Sequence, residues 1–208
     1  TRRSSDLCNC AFADMGLGLG GDTLKSTAED LLFNRALPLN SYKTSRFTLD
    51  KDSPNALVMQ TSIGQGNTLV SPMHMALITS AIANDGVLMK PTMIDKIVNN
   101  SGDTVRETEK TEYKRLMTRN EANILGKLMK NVVENGTASA LNGRGYTVAG
   151  KTGSAEFDEN GSSHSWFVGY SNVDDPDIAI AVIVENGGTG SEAAVPIAAD
   201  VFDAYYFD

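Results

Sequence analysis

The sequence predicts one α/β (α+β) unit, with helices and loops over residues 1–145 and antiparallel strands with a closing helix over 146–208. Three observations carry the prediction. After Gly145 the apolar period changes from helical to extended, and three β segments follow at 146–156, 165–170 and 178–184 with short polar links. Thr118-Arg119-Asn120-Glu121 is a capping box that opens a strongly periodic helix. Ser71-Pro72 has the N-cap residue and first-turn proline of a second clear helix start.

In chain order, Cys8, Ala11, Phe12, Met15 and Leu19 recur at helical spacing until the glycines at 16, 18, 20 and 21 interrupt them. Asp22, Leu24, Ala28, Leu31 and Leu32 suggest a second helix, and residues 36–70 read as loop-rich. The Ser71-Pro72 helix presents Met75, Leu77, Ile78, Ala81 and Ile82 and is expected to end at Gly86. Residues 87–117 read as short strands with a hairpin turn at Asn100-Ser101-Gly102-Asp103. The helix behind Thr118 is expected to bury Ile124, Leu125, Leu128, Met129, Val132 and Val133 and to be capped by Gly136. Turns at Asp158-Glu159-Asn160-Gly161 and at 172–177 make the three strands a meander. The closing helix, 193–206, turns Val195, Ile197, Val201 and Phe202 inward.

Composition narrows the function. The 208 residues are 41% hydrophobic and 21% charged, which suits a folded chain. Eighteen Lys and Arg against 26 Asp and Glu give a net charge of −8, with no basic stripe, so a nucleic-acid partner is excluded as a reading. Cys8 and Cys10 lie far from the two histidines, His74 and His164, so no zinc site is expected and the cysteines read as small apolar fillers. The best apolar run, 73–83, is shorter than the ~20 residues a bilayer requires. The chain begins Thr1-Arg2-Arg3 without methionine, which suggests a piece of a longer protein.

Lys151-Thr152-Gly153-Ser154 is the segment that carries chemistry. Lysine in a strand is ordinarily a solvated outward residue. Here it stands beside two hydroxyls and a glycine that leaves room against the backbone. A strand edge so built suits an extended peptide with a carboxylate. The segment 148–156, together with His164-Ser165-Trp166-Phe167-Val168-Gly169-Tyr170 and the run from Ile180 to Gly188, resembles the transpeptidase domain of penicillin-binding proteins. Ile63-Gly64-Gln65-Gly66, Ser71-Pro72-Met73-His74-Met75-Ala76, the run 83–91 and Cys8-Asn9-Cys10-Ala11-Phe12-Ala13 extend the resemblance across the chain, most closely to the monofunctional, class B type.

The resemblance implies a partial transpeptidase (serine β-lactamase-like) fold, chain 1–208 being the C-terminal part of one domain. It implies a parent tethered at the extracytoplasmic face of a bacterial cytoplasmic membrane, the chain itself being soluble. The parent would cross-link peptidoglycan by serine acyl transfer, without a cofactor. Stem peptide or β-lactam is the implied partner. Lys151, Thr152, Gly153 and Ser154 would bind its carboxylate, and the Ser154 N–H would form half of an oxyanion hole.

Two of the family's three motifs, S-x-x-K, S-x-N and K-T-G, are incomplete. No serine in the chain is followed three positions later by lysine, and a near pattern, Thr48-Leu49-Asp50-Lys51, lies in a charged loop-like stretch. If Asn9 is the remnant of S-x-N, Leu7 stands at the serine position and cannot relay a proton. The chain is therefore expected to be inactive alone. It is either a portion of a transpeptidase or a non-catalytic relative that binds or interacts. Self-association through an open sheet edge is also expected. His164 reads as a structural or surface residue, His74 as exposed, and Glu156 as a solvated or salt-bridged strand residue. The acidic turns at 158–160 and 174–177 lack calcium-loop spacing, and Gly16–Gly21 lacks the context of a phosphate loop.

Overall fold

The computed structural model describes residues 8–39, 42–156 and 163–207. Leu7, the serines before it and the turn 158–161 lie outside them. Helices α1 (Asn9–Leu19) and α2 (Gly21–Asp30) lead to a loop-rich stretch, α3 (Asn55–Ser62) and α4 (Pro72–Ala83). Four short strands, β1 (Val87–Met89), β2 (Lys96–Val98), β3 (Thr104–Glu107) and β4 (Glu112–Arg115), follow, and then α5 (Arg119–Asn135). The meander is β5 (Val148–Glu156), β6 (Ser163–Ser171) and β7 (Ile178–Val184), closed by α6 (Ala194–Phe207).

Local chemistry sets the helix starts. The Ser71 hydroxyl accepts the His74 N–H at 3.2 Å, with Pro72 at the first helical position. Thr118 and Glu121 form the reciprocal capping box, and Gly136 caps the other end of α5. Helix α4 stops at Ala83, before Gly86; the glycine, at φ 84°, returns its N–H to Ala81 O at 2.7 Å.

The three large strands are antiparallel in the order β5-β6-β7. Alternation sends Val148 and Phe167 to a core shared with Val195, Ala198, Ala199 and Phe202 of α6. Ala149 and Tyr170 go to the opposite face, where Met129 of α5 and Ile82 of α4 pack.

Several inward faces differ from the sequence expectation. On α5, Met129, Val132 and Val133 are buried as expected, but Ile124, Leu125 and Leu128 are 50, 38 and 41% exposed, and Ala122 and Gly126 are buried in their stead. Gly126 admits the Tyr170 hydroxyl to that face, since a Cβ there would lie 2.6 Å from it. On α6 the stripe Val195, Ala198, Ala199, Phe202 faces in, while Ile197 and Val201 face out. Met15 and Leu19 of α1 are exposed, and its buried residue is Gly16, seated against Ser62 of α3. Helix α3 itself lies where loops were expected; it buries only Val58 and Thr61, too few apolar residues to show a period. His74 is fully buried rather than exposed, because its ring packs 4.7 Å from Phe33 and its Nε2 bonds Leu31 O at 2.7 Å.

Candidate functional site

The K-T-G residues lie on β5, paired only with β6 among the described residues, so the other edge of β5 is its outer edge. Thr152 stands opposite Phe167, Gly153 opposite Trp166 and Ser154 opposite Ser165. Alternation places Lys151 on the face of α4 and α5, and Thr152 and Ser154 on the face of α6.

Lys151 is half-buried and its Nζ donates to Thr152 O at 2.8 Å. Burial pushes the amine below the ordinary lysine range. Among the described residues it makes no ion pair with a carboxylate. A partly desolvated ammonium with spare donors is a receptor for an anion.

Two segments hold the strand on the α6 face. Thr137, just past the end of α5, shares a 2.6 Å hydrogen bond between its hydroxyl and that of Thr152. Residues 186–192 cross over β5 and β6. Gly190 N–H donates to Ser154 Oγ at 3.3 Å, and Ser165 Oγ donates to Thr189 O at 2.7 Å while accepting from Ala194 N–H at 3.0 Å. A Cβ on Gly190 would sit 2.7 Å from Trp166 O and 2.8 Å from Thr152 Cβ, so only glycine permits this approach. Glu192 accepts from both the N–H and the hydroxyl of Thr189, which lowers its pKa and fixes the turn. On the outer edge, Gln65 Nε2 donates to Ser154 O at 3.4 Å.

The structure thus brings Lys151, Thr152, Gly153 and Ser154 together with Gln65, Thr137 and Gly190. Asn9, exposed in the first turn of α1, makes no hydrogen bond to them among the described residues. Thr48 is exposed and non-helical, and Lys51 pairs with Asp52 at 3.3 Å. His164 is on β6 opposite Ala155, its Nδ1 accepting from Asn186 N–H at 3.2 Å. Thr189 to Glu192 repeats the T-x-x-E pattern of Thr118 to Glu121 ahead of an apolar run, so this segment was readable from the sequence. No local signal points to the contact made by Gln65.

The antiparallel strand bearing K-T-G is thus backed by the C-terminal helix α6 on one face and by α4 and α5 on the other. The chain belongs to the penicillin-binding protein transpeptidase domain family, whose model matches residues 5–203. Peptidoglycan D,D-transpeptidase PbpA of Mycolicibacterium smegmatis is 30% identical over 201 residues, 91% of this chain and 40% of that protein. Penicillin-binding protein 3 of Bacillus subtilis is 32% identical over 186 residues, 86% of this chain and 26% of that protein. The D,D-transpeptidase domain of a peptidoglycan glycosyltransferase from Eggerthella lenta superposes with a TM-score of 0.85 at 28% identity, covering 98% of this chain and 52% of that one. Penicillin-binding protein A of M. tuberculosis, solved as an imipenem acyl-enzyme complex, gives 0.83 at 28% identity, over 95% of this chain and 45% of that one. The chain therefore spans about half or less of the length of these relatives. No helix among the described residues is long and apolar enough to cross a membrane.

Proposed function

We propose that the chain is the C-terminal part of a transpeptidase domain and supplies its carboxylate-binding strand. The supporting observation is Lys151, half-buried, without a carboxylate partner among the described residues, beside an outer strand edge. Lys151 and the hydroxyls of Thr152 and Ser154 would hold the terminal carboxylate of a peptidoglycan stem peptide or a β-lactam. The Ser154 N–H would meet the developing oxyanion, a contact whose loss costs a working enzyme roughly 10²–10³ in rate. The attacking serine would come from elsewhere, because this chain contains no S-x-x-K. Asn9 would position the substrate amide only in the complete domain. The parent would work on the extracytoplasmic face of the membrane, held there by a segment outside this chain.

Intact mass after excess benzylpenicillin is the test of acylation. An unmodified mass is expected; a covalent adduct overturns the assignment of a missing nucleophile. Reversible binding, followed through the single tryptophan, Trp166, opposite Gly153, tests the strand. Lys151→Met should weaken it at least tenfold, and equal binding would refute the role of Lys151. A second reading, a non-catalytic binding or interaction module, is favoured by Leu7 at the serine position of S-x-N. An S-x-x-K upstream in the parent gene supports the first reading and its absence the second. We also infer self-association of the chain through its apolar edge and helix faces.

A further inference from the structure

The register of β5 fixes which of its backbone groups meet an incoming ligand. Gly188 N–H bonds Ser163 O at 3.2 Å, on the side of β6 away from β5. Ser165 and Phe167 share that parity, so their partners Ser154 and Thr152 direct both N–H and C=O to the outer edge of β5. Both outward carbonyls already have donors from this chain: Lys151 Nζ on Thr152 O at 2.8 Å, and Gln65 Nε2 on Ser154 O at 3.4 Å. The N–H groups of Thr152 and Ser154 face the same way. Among the described residues the edge thus offers donors freely and acceptors only by exchange.

We propose that Gln65 is a specificity-determining residue: its side-chain amide competes with the backbone N–H of an extended peptide for the Ser154 carbonyl. The proposal rests on reading K-T-G as a ligand-binding strand. A peptide adding to this edge would exchange two bonds with Ser154, giving its C=O to the Ser154 N–H and its N–H to the Ser154 C=O. The first bond forms without hindrance, whereas the second requires Gln65 to withdraw. A ligand with an ester in place of that amide, having no N–H, leaves Gln65 where it is. The edge therefore discriminates less between amide and ester ligands than a bare strand would.

The loop that carries Gln65 is shaped by its backbone. Gly64 N–H bonds Thr61 O at 3.0 Å and Gln65 N–H bonds Gln60 O at 2.9 Å, with Gly64 and Gly66 at φ 82° and 73°. Replacing the side chain leaves these contacts intact, so Gln65→Ala should keep the fold, as its thermal melt will verify.

The experiment compares the 208-residue chain with Gln65→Ala, titrating an N-acetylated peptide ending in D-Ala-D-Ala and its ester-backbone analogue while following Trp166 fluorescence. Removing one competing hydrogen bond should tighten amide binding by roughly two- to tenfold and leave the ester unchanged. Binding of the amide by the variant alone supports the proposal equally. Equal or weaker amide binding by the variant overturns it while leaving the carboxylate reading standing. Absence of binding by both proteins overturns both.

Discussion

Lys151 serves a ligand better than it serves the fold. Its ammonium is half-buried, meets a carbonyl rather than a carboxylate, and has its pKa lowered by desolvation. Such a group destabilises the folded state relative to an apolar side chain of similar length. Lys151→Met should therefore raise stability by about 1 kcal/mol in urea denaturation while removing anion binding. A loss of stability would show that the amine is structural. His74 sits in a similar conflict with no ligand to justify it. Nε2 bonds Leu31 O, and Nδ1 is buried without a hydrogen-bond partner among the described residues. Protonation would create a buried N–H that nothing receives, and burial accordingly lowers the folded pKa. The unfolded chain takes up this proton near pH 6.5 and the folded chain only below it. Between those values the unfolded state binds more protons, so stability present above pH 6.5 is lost as pH falls. Melts at pH 7.5 and 5.0 should show a smaller acid loss in His74→Phe than in wild type. An identical loss in both would place the acid sensitivity elsewhere.

At the scale of elements, what was legible was what depends on neighbours in sequence. The capping box at Thr118, the Ser71-Pro72 start, the β2–β3 hairpin and the three-strand meander all follow from residues within a few positions of one another. The K-T-G strand was legible for the same reason. Faces chosen by distant partners were not. Periodicity alone allowed α5 to bury Leu125 and Leu128 beside Met129, Val132 and Val133, whereas Gly126, with the Tyr170 hydroxyl close over it, takes an inward place that the pattern did not mark. Gln65 reaches a strand 89 positions away, a contact that no local pattern encodes. Gly190 is the strictest of these long-range fits. A methyl there meets Trp166 O, Thr152 Cβ and Gly153 O, all within 2.9 Å and all on paired strands that cannot yield. Gly190→Ala should cost about 1–3 kcal/mol in urea denaturation and shift Trp166 emission, because the turn must lift off the strand. Unchanged stability and emission would mean that residues 186–192 do not hold β5.

Over the whole molecule the two edges of the large sheet are treated unequally. The β5 edge has its outward carbonyls at Thr152 and Ser154 occupied by the lysine and the glutamine. The β7 edge, Ile178–Val184, is seven apolar residues, each partly exposed, without a charge or a proline to discourage pairing. Ile124, Leu125 and Leu128 of α5 and Ile197 and Val201 of α6 add exposed apolar surface. Water-exposed surface of this kind marks an interface. If the chain self-associates, β7 rather than β5 should carry the contact. Light scattering of the 208-residue chain at micromolar concentration should therefore give a mass above that of the monomer. Ile183→Lys, which puts a charge on β7, should lower that mass. Gln65→Ala, at the opposite edge, should leave it unchanged. A monomer in wild type would refute self-association, and a Gln65-sensitive mass would move the contact to β5.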